Sequence, residues 1–319
     1  MTAGVSEIET QLVTDEFAEA VLNGLAQPRK NIPCRFLYDA RGSELFEEIT
    51  RLDEYYPTRT EIGLLKDHGA EIADRAGAGC AVVEFGSGSS RKTHILLKAL
   101  TGASAYVPID IDDAALKDAA SRLRADFPRL DLHPVHADFS QDIRLPEEIA
   151  EAPKLGFFPG STIGNFDVDD AAGFLADAGR LLGPESDLLI GADLQKDRDI
   201  LLPAYDDARG VTAEFTLNLL HRINRELDGN FDVSRFAHKA IYNDDVGRIE
   251  IYIESHADQD VRVLGRTFHL KSGECIHVEN SHKFTVPQFK ALAQGAGWES
   301  EQVWIDDNDL FSMHYLTQS

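Results

Sequence analysis

The stretch Val82-Val83-Glu84-Phe85-Gly86-Ser87-Gly88-Ser89-Ser90-Arg91-Lys92-Thr93 decides the fold. An apolar, β-branched run from Cys80 to Phe85 leads directly into Gly86-Ser87-Gly88, and a helical pattern opens near Arg91. Strand, glycine turn and helix N-terminus in that order make the first unit of a nucleotide-binding α/β sheet. Glycine serves where the backbone turns sharply and must meet a ligand without a Cβ in the way. Ser89 or Ser90 stands where a helix cap is needed. Two details select among ligands. A dinucleotide loop reads G-x-G-x-x-G, whereas here no third glycine follows and Glu84 stands just ahead of the first. An acidic residue there suits S-adenosylmethionine, whose ammonium and sulfonium are cationic, and suits a pyrophosphate badly. The stretch alone is also compatible with a plain strand-to-helix turn, so the surrounding chain has to decide.

Outward from this turn, residues 80 to 194 alternate strands and helices. We expect strands over 80–85, 105–111, 131–137, 155–159 and 187–193, with helices over 91–100, 113–125 and 169–182. Such alternation implies a parallel, doubly wound, Rossmann-like sheet with right-handed crossovers. Its ligand lies outside the carboxyl ends of the strands. There the first strand delivers Glu84 and the Gly86 loop, the second Asp110 and Asp112, and the third Asp138-Phe139. The fourth delivers the small-residue loop Pro159 to Asn165. A carboxylate ending the second strand suits ribose hydroxyls. An Asp beside an aromatic at the end of the third suits an adenine. Each Asp alone is more commonly a cap, but acidic strand ends in register each have an adenosine role.

From about residue 196 the pattern changes to a long helix near Thr212 to Leu227, followed by strand-like runs at Arg248–Ser255, Asp260–Leu270 and Cys275–Glu279. Apolar and polar alternation in Arg248 to Glu254 indicates a half-buried antiparallel ribbon. We expect a methyltransferase domain over 60–195 plus 285–319 and an α+β substrate-binding domain over 1–59 plus 196–284. Before the sheet, Phe17, Val21, Leu22 and Leu25 recur at helical spacing up to Pro28. Helices are expected over 43–51 and 59–75, with Tyr55-Tyr56-Pro57-Thr58-Arg59 as a loop between them. Tyr38 and Tyr56 carry hydroxyls that need partners if buried, which makes them site candidates.

The net charge of −24 over 319 residues argues against a nucleic-acid partner and against an anionic membrane surface. Cys34, Cys80 and Cys275 form no metal-ligand or CxxC pattern, which suits a reducing cytoplasm. No signal-peptide pattern opens the chain, and no apolar run is long enough to span a bilayer. A cytoplasmic monomer is the expectation.

The segments FLYDARGSELFEEIT (36–50), RLDEYYPTRTE (51–61), VEFGSGSSRKT (83–93), FFPGSTIGNF (157–166), AYDDARGVTAEF (204–215) and ENSHKF (279–284) resemble the histidine N-alpha-methyltransferases that make hercynine in ergothioneine biosynthesis. The resemblance runs from about residue 30 onward. It implies a class I methyltransferase sheet with a second domain. By matching motifs, Tyr56, Gly86, Lys92, Asp110, Asp138 and Phe139 would meet S-adenosylmethionine. Tyr56, Gly160, Asn165, Tyr205, Glu279 and Ser281 would meet L-histidine, with Tyr38 nearby. Ile251 departs from the pattern, in that some family members carry methionine there.

Methyl transfer to an amine needs a neutral nitrogen aimed at the methyl carbon, and no metal. Tyr38, Tyr56 and Asn165 are the candidates to orient it, since a tyrosine of ordinary pKa is a poor base at neutral pH. Glu279 and Ser281, at i and i+2 on an expected strand, point to one face and suit an imidazole. The alternative substrate is another aromatic amino acid, such as tryptophan or tyrosine. An indole or phenyl ring would leave a buried carboxylate unpaired.

Overall fold

The computed structural model describes residues 3–88, 91–111, 113–137 and 143–318, with side chains described for these except 3–14, 113–115 and 118. It divides into two compact units, Met1–Tyr55 with Asp197–Ser281, and Tyr56–Lys196 with His282–Ser319.

The second unit holds an eight-stranded sheet in the order Trp298–Ile305, Phe311–Gln318, Asp187–Asp193, Lys154–Phe158, Ala81–Phe85, Ala105–Asp110 and Asp131–Leu132, with Val135–His136 also paired to Ala105–Asp110. The strands from Asp187–Asp193 to Asp131–Leu132 run parallel. Phe311–Gln318 inserts antiparallel beside Asp187–Asp193. The expected doubly wound sheet is therefore present. Its third strand is broken into two short pieces rather than running from 131 to 137.

Side chains alternate across the sheet and fill a core on each face. Val83 and Phe85 pack with Phe174, Leu175 and Phe289, from the helices Val168–Leu182 and Val286–Gly295. Val82 packs on the other face with Leu64, Leu65, Leu96 and Leu97, from the helices Tyr56–Ala76 and Arg91–Ala99. Strands covered on both faces become continuous apolar runs, which is why this half of the chain reads so clearly in sequence. Strand order reverses at Ala81–Phe85, which has Ala105–Asp110 on one side and Lys154–Phe158 on the other. The crevice at such a switch point takes the ligand, so the loops opening at Gly86 and Pro159 flank it.

The first unit combines a three-stranded sheet, ordered Cys275–His282, Arg248–Ser255, Phe236–Asn243, with a hairpin of Gln259–Val263 and Arg266–Leu270. The single run expected over 260–270 is split by Leu264-Gly265, both in the left-handed region (φ 46° and 75°), the geometry of a two-residue hairpin turn. Helices Ala40–Ile49, Arg198–Tyr205 and Val211–Glu226 belong to the same unit, as does the N-terminal helix Ala3–Ala26. Asp39 caps Ala40–Ile49 through the Gly42 N–H at 2.8 Å, and Asp207 caps Val211–Glu226 through the N–H groups of Val211 and Thr212. Among the described residues, no helix is long and apolar enough to cross a membrane.

Candidate active site

In the sheet unit, Gly86 and Gly88 both take positive φ, 74° and 42°. The Gly88 N–H donates to Asp110 Oδ2 at 3.2 Å. The glycine turn and the carboxylate ending the second strand are thus joined. A Cβ at Gly88 would meet nothing within 4 Å, so the turn presents bare backbone. That cradle, with a carboxylate beside it, fits the adenosine and amino-acid ends of S-adenosylmethionine. Asp138 and Phe139, expected at the adenine, lie outside the described residues, as do Asp112, Ser89 and Ser90.

Glu84 behaves differently from the sequence expectation. It is 1% exposed and points away from the crevice, accepting hydrogen bonds from the hydroxyls of Thr93 at 2.7 Å and Tyr106 at 2.5 Å. Its place in the strand puts it on the face covered by the helix Arg91–Ala99. It ties strand to helix there instead of meeting a cation on the cofactor. Burial pushes its carboxyl up to about 8. A raised folded-state value means that folding favours the protonated form. Its contribution is then fully present below the ordinary 4.5 and is lost as pH rises through about 8. Glu84→Gln, which keeps an acceptor oxygen but cannot ionise, is expected to gain stability relative to wild type between about pH 5 and about pH 9. Urea denaturation across that range checks it, and a constant difference would refute the assignment.

Lys92 is not a solvated helix residue. Its ammonium lies 2.6 Å from Glu61 Oε2, with side-chain exposures of 18% and 0%. The two oxygens of Glu61 also accept from the Gly160 N–H at 3.0 and 2.9 Å. Gly160 is left-handed (φ 86°), and a Cβ there would stand 3.3 Å from the Lys92 Nζ. Gly191 leaves room beneath, since its Cβ would come within 2.3 Å of Glu61 Oε1. One buried carboxylate therefore joins Lys92 to the Gly160 loop. Sequence reasoning placed those two on opposite ligands and missed Glu61, although it lies in the quoted YYPTRTE segment.

After Gly160 the chain enters the short turn Thr162–Asn165 through Ser161, whose φ of 56° is left-handed. The Ser161 hydroxyl accepts from the Asp193 N–H at 2.9 Å. A Cβ on Gly164 would lie 2.7 Å from the His282 carbonyl oxygen, so only glycine lets these backbones approach and hold Asn165, which is half-buried.

Tyr56 corrects the reading of residues 55–59 as a loop. It opens the helix Tyr56–Ala76, and Pro57 occupies the first turn, where a missing N–H costs nothing. Its hydroxyl lies 2.9 Å from both oxygens of Asp193. The Lys196 ammonium donates to that hydroxyl at 2.7 Å, to Asp193 Oδ1 at 2.6 Å and to the Leu194 carbonyl at 2.5 Å. It also sits 4.5 Å from the Tyr56 ring centre. Lys283 lies 2.8 Å from the other Asp193 oxygen. Asp193, Lys196 and Lys283 were not foreseen, yet a signal existed: Asp193 ends its strand as Asp110 ends the second.

In the first unit, the structure brings Tyr38, Tyr205, Glu279 and Ser281 together. Glu279 and Ser281 are 9% and 4% exposed on the strand Cys275–His282. The Ser281 Oγ lies 2.9 Å from the Tyr205 hydroxyl. The Tyr205 backbone carbonyl is bonded to His238 Nε2 at 2.8 Å, and His238 Nδ1 to the Thr216 hydroxyl at 3.0 Å. Desolvation holds His238 below the ordinary imidazole range, so it serves as a neutral brace. Tyr38 packs edge-on against Phe46 and Phe215. Burial, then the charge of Glu279, pushes its phenol well above the ordinary 10. Tyr38 is therefore a hydrogen-bond donor and no proton acceptor. Glu279 also helps burial raise the Cys34 thiol to about 12. Ile251 is buried on the ribbon. Among the described residues, no group of His, Cys, Asp or Glu is arranged to hold a metal ion.

Comparison with known proteins identifies the family of the chain. Residues 17–318 match the model of a family described as histidine-specific, S-adenosylmethionine-dependent methyltransferases. The chain is 40% identical over 304 residues to a histidine N-alpha-methyltransferase of Mycolicibacterium smegmatis, covering 92% of this chain and 94% of that one. It is 31% identical over 299 residues to ergothioneine biosynthesis protein 1 of Neurospora crassa, covering 91% of this chain and 33% of that one. A crystal structure of a possible exported protein from Bordetella parapertussis, 14% identical, superposes with a TM-score of 0.52 over 100% of this chain and 99% of that one. That last likeness is one of fold alone.

Proposed function

Since the chain belongs to the family of histidine-specific, S-adenosylmethionine-dependent methyltransferases, we infer that it methylates the α-amino group of L-histidine, carrying it to the trimethylated betaine, hercynine, a step of ergothioneine biosynthesis. The observation that carries the choice of substrate is the buried pair Glu279 and Ser281, two residues apart on one strand, with Ser281 tied to Tyr205. A carboxylate and a hydroxyl suit the N–H and the acceptor nitrogen of an imidazole. A phenyl ring offers the carboxylate no N–H, and an indole offers an N–H but no acceptor nitrogen for the hydroxyl.

In this reading Gly86, Lys92 and Asp110 of the sheet unit, with Asp138, Phe139 and Tyr56, hold S-adenosylmethionine, which supplies an electrophilic methyl. Tyr56 serves the amine of the acceptor, Asn165 and Tyr205 its carboxylate, and Glu279 and Ser281 its imidazole, with Gly160 as a further substrate residue. Holding the reactants in register supplies a large part of the acceleration. Tyr38, kept neutral by its surroundings, helps to orient the acceptor and takes no proton from it. The sheet unit is the cofactor domain and the other unit the substrate domain, and the chain works as a cytoplasmic monomer. Incubation with S-adenosylmethionine and each common amino acid, read by mass spectrometry, tests the assignment. Histidine is expected to gain three methyls. Methylation confined to an indole or phenol amino acid would overturn it.

A further inference from the structure

Each methyl transfer to histidine requires that a proton first leave the substrate nitrogen, and three leave in all between the ammonium and the trimethylated product. The phenol of Tyr38 is a poor acceptor for them. The arrangement around Tyr56 offers another route. Its hydroxyl is held between a buried carboxylate, Asp193, and a lysine ammonium, Lys196, at 2.9 and 2.7 Å. Both side chains are nearly or fully buried, with exposures of 6% for Lys196 and 0% for Asp193. Asp193 does not serve Lys196 alone, because Lys283, itself 0% exposed, lies 2.8 Å from its second oxygen. One carboxylate is shared between two buried ammonium groups, and for Lys196 the neighbouring cation favours the neutral amine.

We propose that Lys196 is the proton acceptor for the methylated amine and that it works through the hydroxyl of Tyr56. The inference rests on the reading that places Tyr56 at the substrate's amine. In the step, an N–H bond of the substrate ammonium breaks and a new O–H bond forms on Tyr56. The proton that Tyr56 already carried passes to the lone pair of neutral Lys196. The products are a neutral substrate amine and a Lys196 ammonium, which then loses its proton to water before the next transfer. Tyr56 ends as it began, so its own high pKa is no obstacle. The ammonium form is held by donation to Tyr56, Asp193 and the Leu194 carbonyl. The neutral form keeps two N–H donors and accepts from Tyr56 instead. The groups facing Lys196 are Asp193 and Asp306, which favour its charge, and Lys283 and burial, which oppose it. Desolvation wins, and the ammonium falls to about 8. A lysine so poised both accepts and releases protons near neutrality.

The test is the pH dependence of the single-turnover rate of histidine methylation. In wild type it is expected to rise with pH and level off above about 8. A rate that does not change between about pH 6 and about pH 9 would overturn the proposal without any variant. Lys196→Met and Lys196→Arg are each expected to lower the rate at pH 7 by about 100-fold, with the loss recovering at high pH and with S-adenosylmethionine affinity retained. Arginine keeps the positive charge beside Asp193 and the donor to Tyr56, but it does not deprotonate. A Lys196→Arg enzyme with wild-type rate and profile would reduce Lys196 to a structural cation and end the proposal. Tyr56→Phe is expected to match the Lys196 variants. If Tyr56→Phe is slow while Lys196→Arg is normal, the relay fails and Tyr56 keeps its place at the amine. If Tyr56→Phe is normal in rate and profile, that placement fails, and the relay with it.

Discussion

Replacement of Glu279 by alanine is expected to raise the KM for histidine about 100-fold while leaving the affinity for S-adenosylmethionine within about twofold. Glu279 is nearly buried and makes itself felt electrostatically on Tyr38 and Cys34, so its charge is poorly screened and a ligand N–H beside it gains a charge-assisted bond. Such bonds contribute about 1.5–3 kcal/mol, or roughly 10- to 150-fold in affinity. Glu279→Gln, which keeps the acceptor and loses the charge, should fall between alanine and wild type, nearer about tenfold. Calorimetric titration of each ligand separates the cases. Parallel losses for histidine and S-adenosylmethionine would show that Glu279 supports the structure as a whole and selects neither ligand.

The second large effect is expected on stability. Glu61→Ala should destabilise the fold by about 3 kcal/mol, the lower end for breaking a buried ion pair because Lys92 retains some access to water. The change leaves the Gly160 N–H without its acceptor and Lys92 without its counter-charge. It also opens a void above Gly191. For 319 residues, at about 2.1 cal/mol/K each, the loss corresponds to a Tm lower by roughly 4–5 °C. Thermal unfolding by circular dichroism measures it, and a Tm within about 2 °C of wild type would contradict the role. Affinity for S-adenosylmethionine should fall as well, since Lys92 is aimed by Glu61.

The residues that could be read from sequence share a property. They end strands or turn chains, and their signal is local. The run Cys80 to Phe85 and its glycines announced the switch point because buried parallel strands are continuously apolar. Asp110 and Gly160 followed as the next strand ends. Proline misled at one place: Pro57 looked like a loop residue and instead sits in the first turn of a helix. The helix Arg198–Tyr205, which contains Pro203, was not among the expected elements. Glu84 was legible in position but not in direction, because a strand residue next to a glycine turn faces either cover or crevice depending on parity. Glu61, Asp193, Lys196 and Lys283 stayed hidden for another reason. Their partners lie far along the chain, from Tyr56 to Asp193 and from Glu61 to Gly160, and no periodicity encodes such pairings.

The insertion of Phe311–Gln318 beside Asp187–Asp193 bears on how the molecule is made. The parallel strands emerge from the ribosome early, but the strand that covers the open edge of Asp187–Asp193 is translated about 120 residues later. At about 5–20 residues per second, that edge waits on the order of 6 to 24 seconds for its partner. An apolar strand with unpaired backbone groups is a template for pairing with other chains. Interrupting translation between these two strands should yield aggregated product, whereas the finished sheet leaves no such edge at Asp187–Asp193.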